Sequence, residues 1–171
     1  MRIVLVCILL CFSAWGKEHP IYDQILRNKP KINKKYAMKL SNVIHKMSVK
    51  YKIPKEIYTA ILAQESEYVL NSKNCFKGYV ELKNGEDIQY TETRLCTDYG
   101  ISQMNYRNIE KMKLDIHLLL TDLEYSVEQG AKVLRWAMLK YKDKEDDWYT
   151  RYHSGTRVLR DIYKPLVDRY L

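Results

Sequence analysis

Apolar positions recur at helical spacing through most of the chain. In residues 33 to 51, "NKKYAMKLSNVIHKMSVKY", Tyr36, Leu40, Val43, Ile44 and Met47 line up as the inner stripe of an amphipathic helix. A second helix opens at Ile53-Pro54-Lys55-Glu56, with Pro54 before or at the first turn, where its missing N–H costs little. At roughly 100° per residue, Ile57, Tyr58, Ile61, Leu62, Tyr68 and Val69 share one arc of that helix. Thr59, Ser66 and Glu67 are expected on the solvent side. Glu65 falls in the middle of the apolar arc.

The period then changes. "GYVELKNGEDIQY" holds two short alternating runs on either side of Asn84-Gly85, a dipeptide suited to the positive φ of a tight hairpin turn. Helical spacing returns near Arg107–Lys113. It is strongest in "TDLEYSVEQGAKVLRWAMLKY", with Leu123, Val127, Leu134, Met138 and Tyr141 inward and Thr121 or Asp122 as cap. Gly130 costs that helix about 1 kcal/mol against alanine, which close helix packing would explain. "DDWYTRYHSGT" reads as a short helix or turn, and residues 157–171 as a helix disturbed at Pro165. The expected fold class is mainly α with one small β-hairpin.

Composition adds a compartment. Arg2 precedes "IVLVCILLCFSAW", and small residues follow around Ala14-Trp15-Gly16. Residues 1–16 therefore read as a secretory signal peptide, with an uncleaved N-terminal anchor as the alternative. Residues 17–171 would form one domain. Cys7 and Cys11 leave with the signal, and Cys75 and Cys96 flank the hairpin. In an oxidising space their default is a disulfide stapling its base. The net charge is +8, which suits anionic polymers, the cell wall first among them. The lysines are scattered and no nucleic-acid motif is present, so nucleic acid is not expected as a partner. His19, His45 and His117 have no metal-ligand spacing, and neither metal nor cofactor is expected. The ratio of 15 tyrosines to 2 phenylalanines suits a damp groove as well as a core.

A carboxyl on an apolar arc is easily protonated, because desolvation disfavours its charged form. That is the state a general acid needs near neutral pH; a structural ion pair is the alternative for Glu65. Two further segments join the "ESEY" of Glu65–Tyr68: "DYGISQMN" at Asp98–Asn105 and "YHSG" at Tyr152–Gly155. In that order the three resemble the motifs of lytic transglycosylases with a lysozyme-like fold, over about residues 40 to 163. The compact chain looks like the specialised members that accompany secretion systems, conjugation machines, pili or phage. The resemblance implies an enzyme acting on peptidoglycan glycan strands, and a monomer is expected. Glu65 would be the general acid/base cleaving the N-acetylmuramic acid–N-acetylglucosamine bond. Ser66 would orient it or contact the sugar, Gln103 would bind a substrate amide or hydroxyl, and Gly100 would let backbone approach the glycan. Tyr152 would hold the Glu65 carboxyl by a hydrogen bond.

His153 stands where the family has asparagine. Asp98 stands where it often has a small polar residue, and is either a loop cap or a second carboxylate in the groove. Structural roles also stay open for Gln103, as a loop-stabilising amide, and for Tyr152, as core. Two rival functions follow. A hydrolytic lysozyme would use Asp98 beside Glu65, with Glu67 a poor second because it points off that face. A non-catalytic wall-binding or assembly factor would use the groove as a clamp.

Overall fold

The computed structural model describes residues 19–84 and 87–171. Residues 1–16, expected to be a signal peptide, and Gly85 of the expected hairpin turn lie outside the described residues. Among the described residues, seven helices and a three-stranded antiparallel sheet follow in the order α1 (Pro20–Asn28), α2 (Lys34–Tyr51), α3 (Lys55–Ser66), β1 (Lys73–Asn84), β2 (Asp87–Tyr99), β3 (Met104–Asn105), α4 (Tyr106–Met112), α5 (Ile116–Thr121), α6 (Leu123–Tyr141) and α7 (Arg157–Asp168). A 3-10 turn, Trp148–Tyr152, separates α6 from α7.

The caps explain the boundaries. Asn33 and Asp122 accept the backbone N–H groups of Tyr36 and Tyr125 and so start α2 and α6. Pro54, the N-cap of α3, sits ahead of the first helical residue. Leu40, Ile44, Met47, Ile61, Val127 and Leu134 are fully buried where α2, α3 and α6 meet, so the predicted stripes do face one core. Gly130 is the close contact expected of it. A Cβ there would lie 2.5 Å from Ser102 Oγ and 2.7 Å from the Tyr58 hydroxyl.

Several expectations change. α3 is buried nearly all round, so Thr59 and Ser66 face inward and not to solvent. Thr59 satisfies its hydroxyl on the Lys55 carbonyl, which lets a polar side chain sit in the core. The helix stops at Ser66, so Tyr68 and Val69 lie beyond it; Tyr68 is buried and Val69 is 39% exposed. α7 runs through Pro165 without a break. The hairpin is longer than the alternating runs suggested: β1 pairs with β2 from Lys73↔Tyr99 to Asn84↔Asp87. Cys75 and Cys96 face each other near its base and are disulfide-bonded.

Candidate active site

Glu65 occupies the last turn of α3, and the chain reverses abruptly after it. Glu67 and Tyr68 take left-handed conformations at φ 50° and 64°. Such positions are uncommon for residues with side chains, and packing must enforce them. Here α1 and α2 do so. Asn28 donates to the Tyr68 hydroxyl at 3.0 Å, Lys29 Nζ to the Glu67 carbonyl at 2.9 Å, and the Tyr36 hydroxyl to the Tyr68 carbonyl at 2.9 Å. This clamp fixes where α3 ends, and therefore where the Glu65 carboxyl points.

The "GISQ" segment packs beside it through every residue. Gly100 has φ 79° and gives its N–H to the Ser72 carbonyl. Ile101 is buried, and its carbonyl accepts Ser66 Oγ at 2.8 Å. Ser102, also buried, donates to the Ser126 carbonyl at 2.8 Å. Gln103, at φ 42°, donates through Nε2 to the Gly100 carbonyl at 2.8 Å and to the Ser72 carbonyl at 3.3 Å.

The third segment enters from the 3-10 turn, where Arg151 and the buried Arg160 both bind the Glu145 carboxylate. From there the Tyr152 hydroxyl donates to the Ser102 carbonyl at 2.7 Å. The group on Glu65 is instead the Tyr163 hydroxyl of α7, which donates to Oε1 at 2.5 Å.

Glu65, Asp98, Gln103, Asn105, Tyr152 and His153 line one cleft of about 730 Å³, so the three motifs do converge on one site. In the same cleft, the Asp98 carboxylate is held on both oxygens. Asn74 Nδ2 (3.1 Å) and Thr97 Oγ1 (2.7 Å) reach Oδ2, and Asn105 Nδ2 (3.1 Å) reaches Oδ1. Burial pushes the Glu65 carboxyl up from 4.5 to about 7; the Tyr163 hydroxyl pulls it down and the Asp98 charge pushes it further up. A carboxyl in that range can both give and take a proton near neutral pH. Among the described residues no cluster of His, Cys, Asp or Glu is placed to hold a metal.

Three roles expected from the resemblance change, and a fourth is narrowed to one of its alternatives. Tyr152 does not hold Glu65: its hydroxyl is spent on the Ser102 backbone, and Tyr163 takes that place. Ser66 is buried and joins α3 to the "GISQ" segment, which fits the orienting alternative and not the sugar contact. Gly100 faces the protein and not the groove, since a Cβ there would meet the Leu119 carbonyl at 2.4 Å. Gln103 lines the cleft, but its Nε2 is committed to the loop. Glu67 points away, as expected, and pairs with Lys29 at 3.4 Å. Tyr163 was not picked out from the sequence, although it belongs to the inward stripe of α7 with Arg160 and Val167.

Tyr163→Phe tests that bond. Loss of the hydroxyl removes the donor that lowers the Glu65 pKa and fixes the carboxyl. Activity is expected to fall about 10- to 100-fold, as for a displaced catalytic group, and the alkaline limb of the pH–rate profile to move up. A profile that stays in place at full rate would remove Tyr163 from the site.

A mainly helical domain with a small hairpin and a half-buried glutamate in an open cleft is the lysozyme-like arrangement. The family model for the transglycosylase SLT domain matches residues 42–164, and the chain belongs to that family. No curated protein and no solved structure is found to match. The matched segment contains Glu65, the hairpin, the cleft and Tyr163, and the family points to peptidoglycan as what the cleft takes.

Proposed function

We propose that this chain is an exported peptidoglycan lytic transglycosylase that leaves 1,6-anhydromuramic acid ends. The observation that carries the proposal is Glu65: one carboxyl, held near neutral pKa by burial, tethered by Tyr163 and open to the cleft. Protonated Glu65 gives its proton to the glycosidic oxygen as the bond to the muramic C1 breaks. The muramic 6-hydroxyl then attacks C1 and returns a proton to the Glu65 carboxylate. Acid and base are thus one residue, and proximity supplies the nucleophile. The Asp98 carboxylate, fixed by three donors, would stabilise the oxocarbenium-like charge between the two steps.

Export through residues 1–16, and local wall remodelling for a secretion, conjugation, pilus or phage machine, belong to the same proposal and rest on the N-terminal pattern and the motif resemblance. The second reading, a hydrolytic lysozyme, is favoured by one observation: Asp98 lines the same cleft as Glu65. Mass spectrometry of digested wall sacculi separates the two, because an anhydro end is lighter than a hydrated one by one water. Anhydro ends are expected. Hydrated, reducible ends alone would make the chain a lysozyme, with Asp98 the first residue to mutate. Sacculi bound but never cleaved would leave only a clamp.

A further inference from the structure

His153 follows the 3-10 turn, its backbone N–H bonded to the Thr150 carbonyl at 3.1 Å. Its imidazole lies flat on the Tyr163 ring, with centroids 4.5 Å apart and planes within 5°. Tyr163 itself is buried, and its hydroxyl is the donor to Glu65. The phenol oxygen lies on the long axis of its ring, so it holds one acceptor only while that axis does not tilt, and a ring stacked flat against it blocks tilting toward that side. His153 lines the catalytic cleft and the adjoining hollow of about 390 Å³ beside Trp136. One face of the imidazole thus lies against Tyr163, while the histidine is otherwise exposed. Asparagine, which the resemblance places at this position, has no ring to offer.

We propose that His153 is a positioning residue: by stacking on Tyr163 it holds the hydroxyl that orients the Glu65 carboxyl. The inference rests on the reading of Glu65 as the catalytic acid. The titratable groups around the imidazole fit a neutral stacking partner. Burial lowers its pKa, against the pull of the Asp98 carboxylate on β2. Glu65 on α3 and His153 both contact Tyr163 on α7, whose own pKa burial holds well above its ordinary value.

The test measures kcat and KM on soluble glycan strands for the wild type, His153→Ala, His153→Phe and His153→Asn, each also in the Tyr163→Phe background. His153→Ala is expected to lower kcat about tenfold, with KM within about twofold and the alkaline pH limb moved up, as for a catalytic group set slightly out of place. His153→Phe should keep most of the rate, because it keeps a ring; His153→Asn should resemble alanine. In the Tyr163→Phe background the alanine substitution should cost less than about twofold more, because its effect passes through the missing hydroxyl. His153→Phe as slow as His153→Ala, a rise in KM alone, or an undiminished second loss in the Tyr163→Phe background would each overturn the inference. If His153→Ala does not fold, the phenylalanine and asparagine variants carry the same decision. A wild type that cleaves while His153→Ala runs at full kcat overturns only this inference. A folded wild type that cleaves nothing overturns the reading of the site, and this inference with it.

Discussion

Glu65→Gln is expected to fold, to bind wall material and to lose cleavage by roughly a thousandfold, within the range that a positioned acid contributes. The amide keeps an oxygen to accept the Tyr163 hydroxyl, so the local geometry survives, but it has no proton to give. The same substitution should stabilise the protein at alkaline pH. The folded-state pKa of Glu65, about 7, lies above its ordinary 4.5. Between those values the folded chain binds more proton than the unfolded one, so stability falls as pH rises through the window. Above pH 7 the full cost of a buried charge is present, at most on the order of 3 kcal/mol for a shift of that size. The glutamine variant is free of that cost. The gap between the two melting temperatures should therefore be small at pH 4.5 and largest above pH 7. Glu67→Gln is the control. Its side chain is 75% exposed, it pairs with Lys29 at the surface, and neither rate nor stability should move much. Full cleavage by a folded Glu65→Gln protein would overturn the assignment of the acid.

The long helices were legible because their inner stripes are long. α2 and α6 each bury a run of aliphatic residues at steady spacing, and Asn33 and Asp122 mark their starts. α1 was not, since only Ile21 and Ile25 with the polar Gln24 face inward over its short length. The ends of the hairpin carry Lys73, Asn74, Thr97 and Asp98, which do not alternate, and backbone pairing extends the ladder where side chains give no sign of it. Ser66 was misread for a related reason. A hydroxyl can go into a core once it bonds carbonyls, and the Ile101 carbonyl it meets is 35 residues away. Such distance also hid the bond to Glu65. Tyr163 lies 98 residues from it, and α7 carries apolar residues on its outer side as well, with Val158 and Ile162 60% or more exposed. The residue motifs located the cleft; the partners of each motif residue are set by tertiary contacts that spacing does not encode.

Gly100→Ala is expected to damage both stability and activity, for reasons internal to the protein. At φ 79° an L-residue costs roughly 1–2 kcal/mol. The added methyl would also lie 2.4 Å from the Leu119 carbonyl and 2.6 Å from Ser126 Oγ. The first is backbone of α5 and cannot swing aside, so overpacking adds about 1–3 kcal/mol. A total of about 2–5 kcal/mol is a large share of the stability of a typical domain, and corresponds to a fall in melting temperature of roughly 5–20 °C at this chain length. Activity should fall further than stability. The Gly100 carbonyl holds Gln103 through its N–H at 3.0 Å and its Nε2 at 2.8 Å, and the next residue's carbonyl holds Ser66. A shift at Gly100 therefore moves the cleft wall and the end of α3 together. Gly155 gives the contrast. A Cβ there would meet nothing within 4 Å, and the residue is exposed beside the cleft. Gly155→Ala should melt within about 2 °C of the parent, as an exposed substitution does, so any loss of rate it causes would report a glycan strand that needs that space. Equal melting shifts in the two variants would overturn the claim that packing, and not access, requires the glycine at position 100.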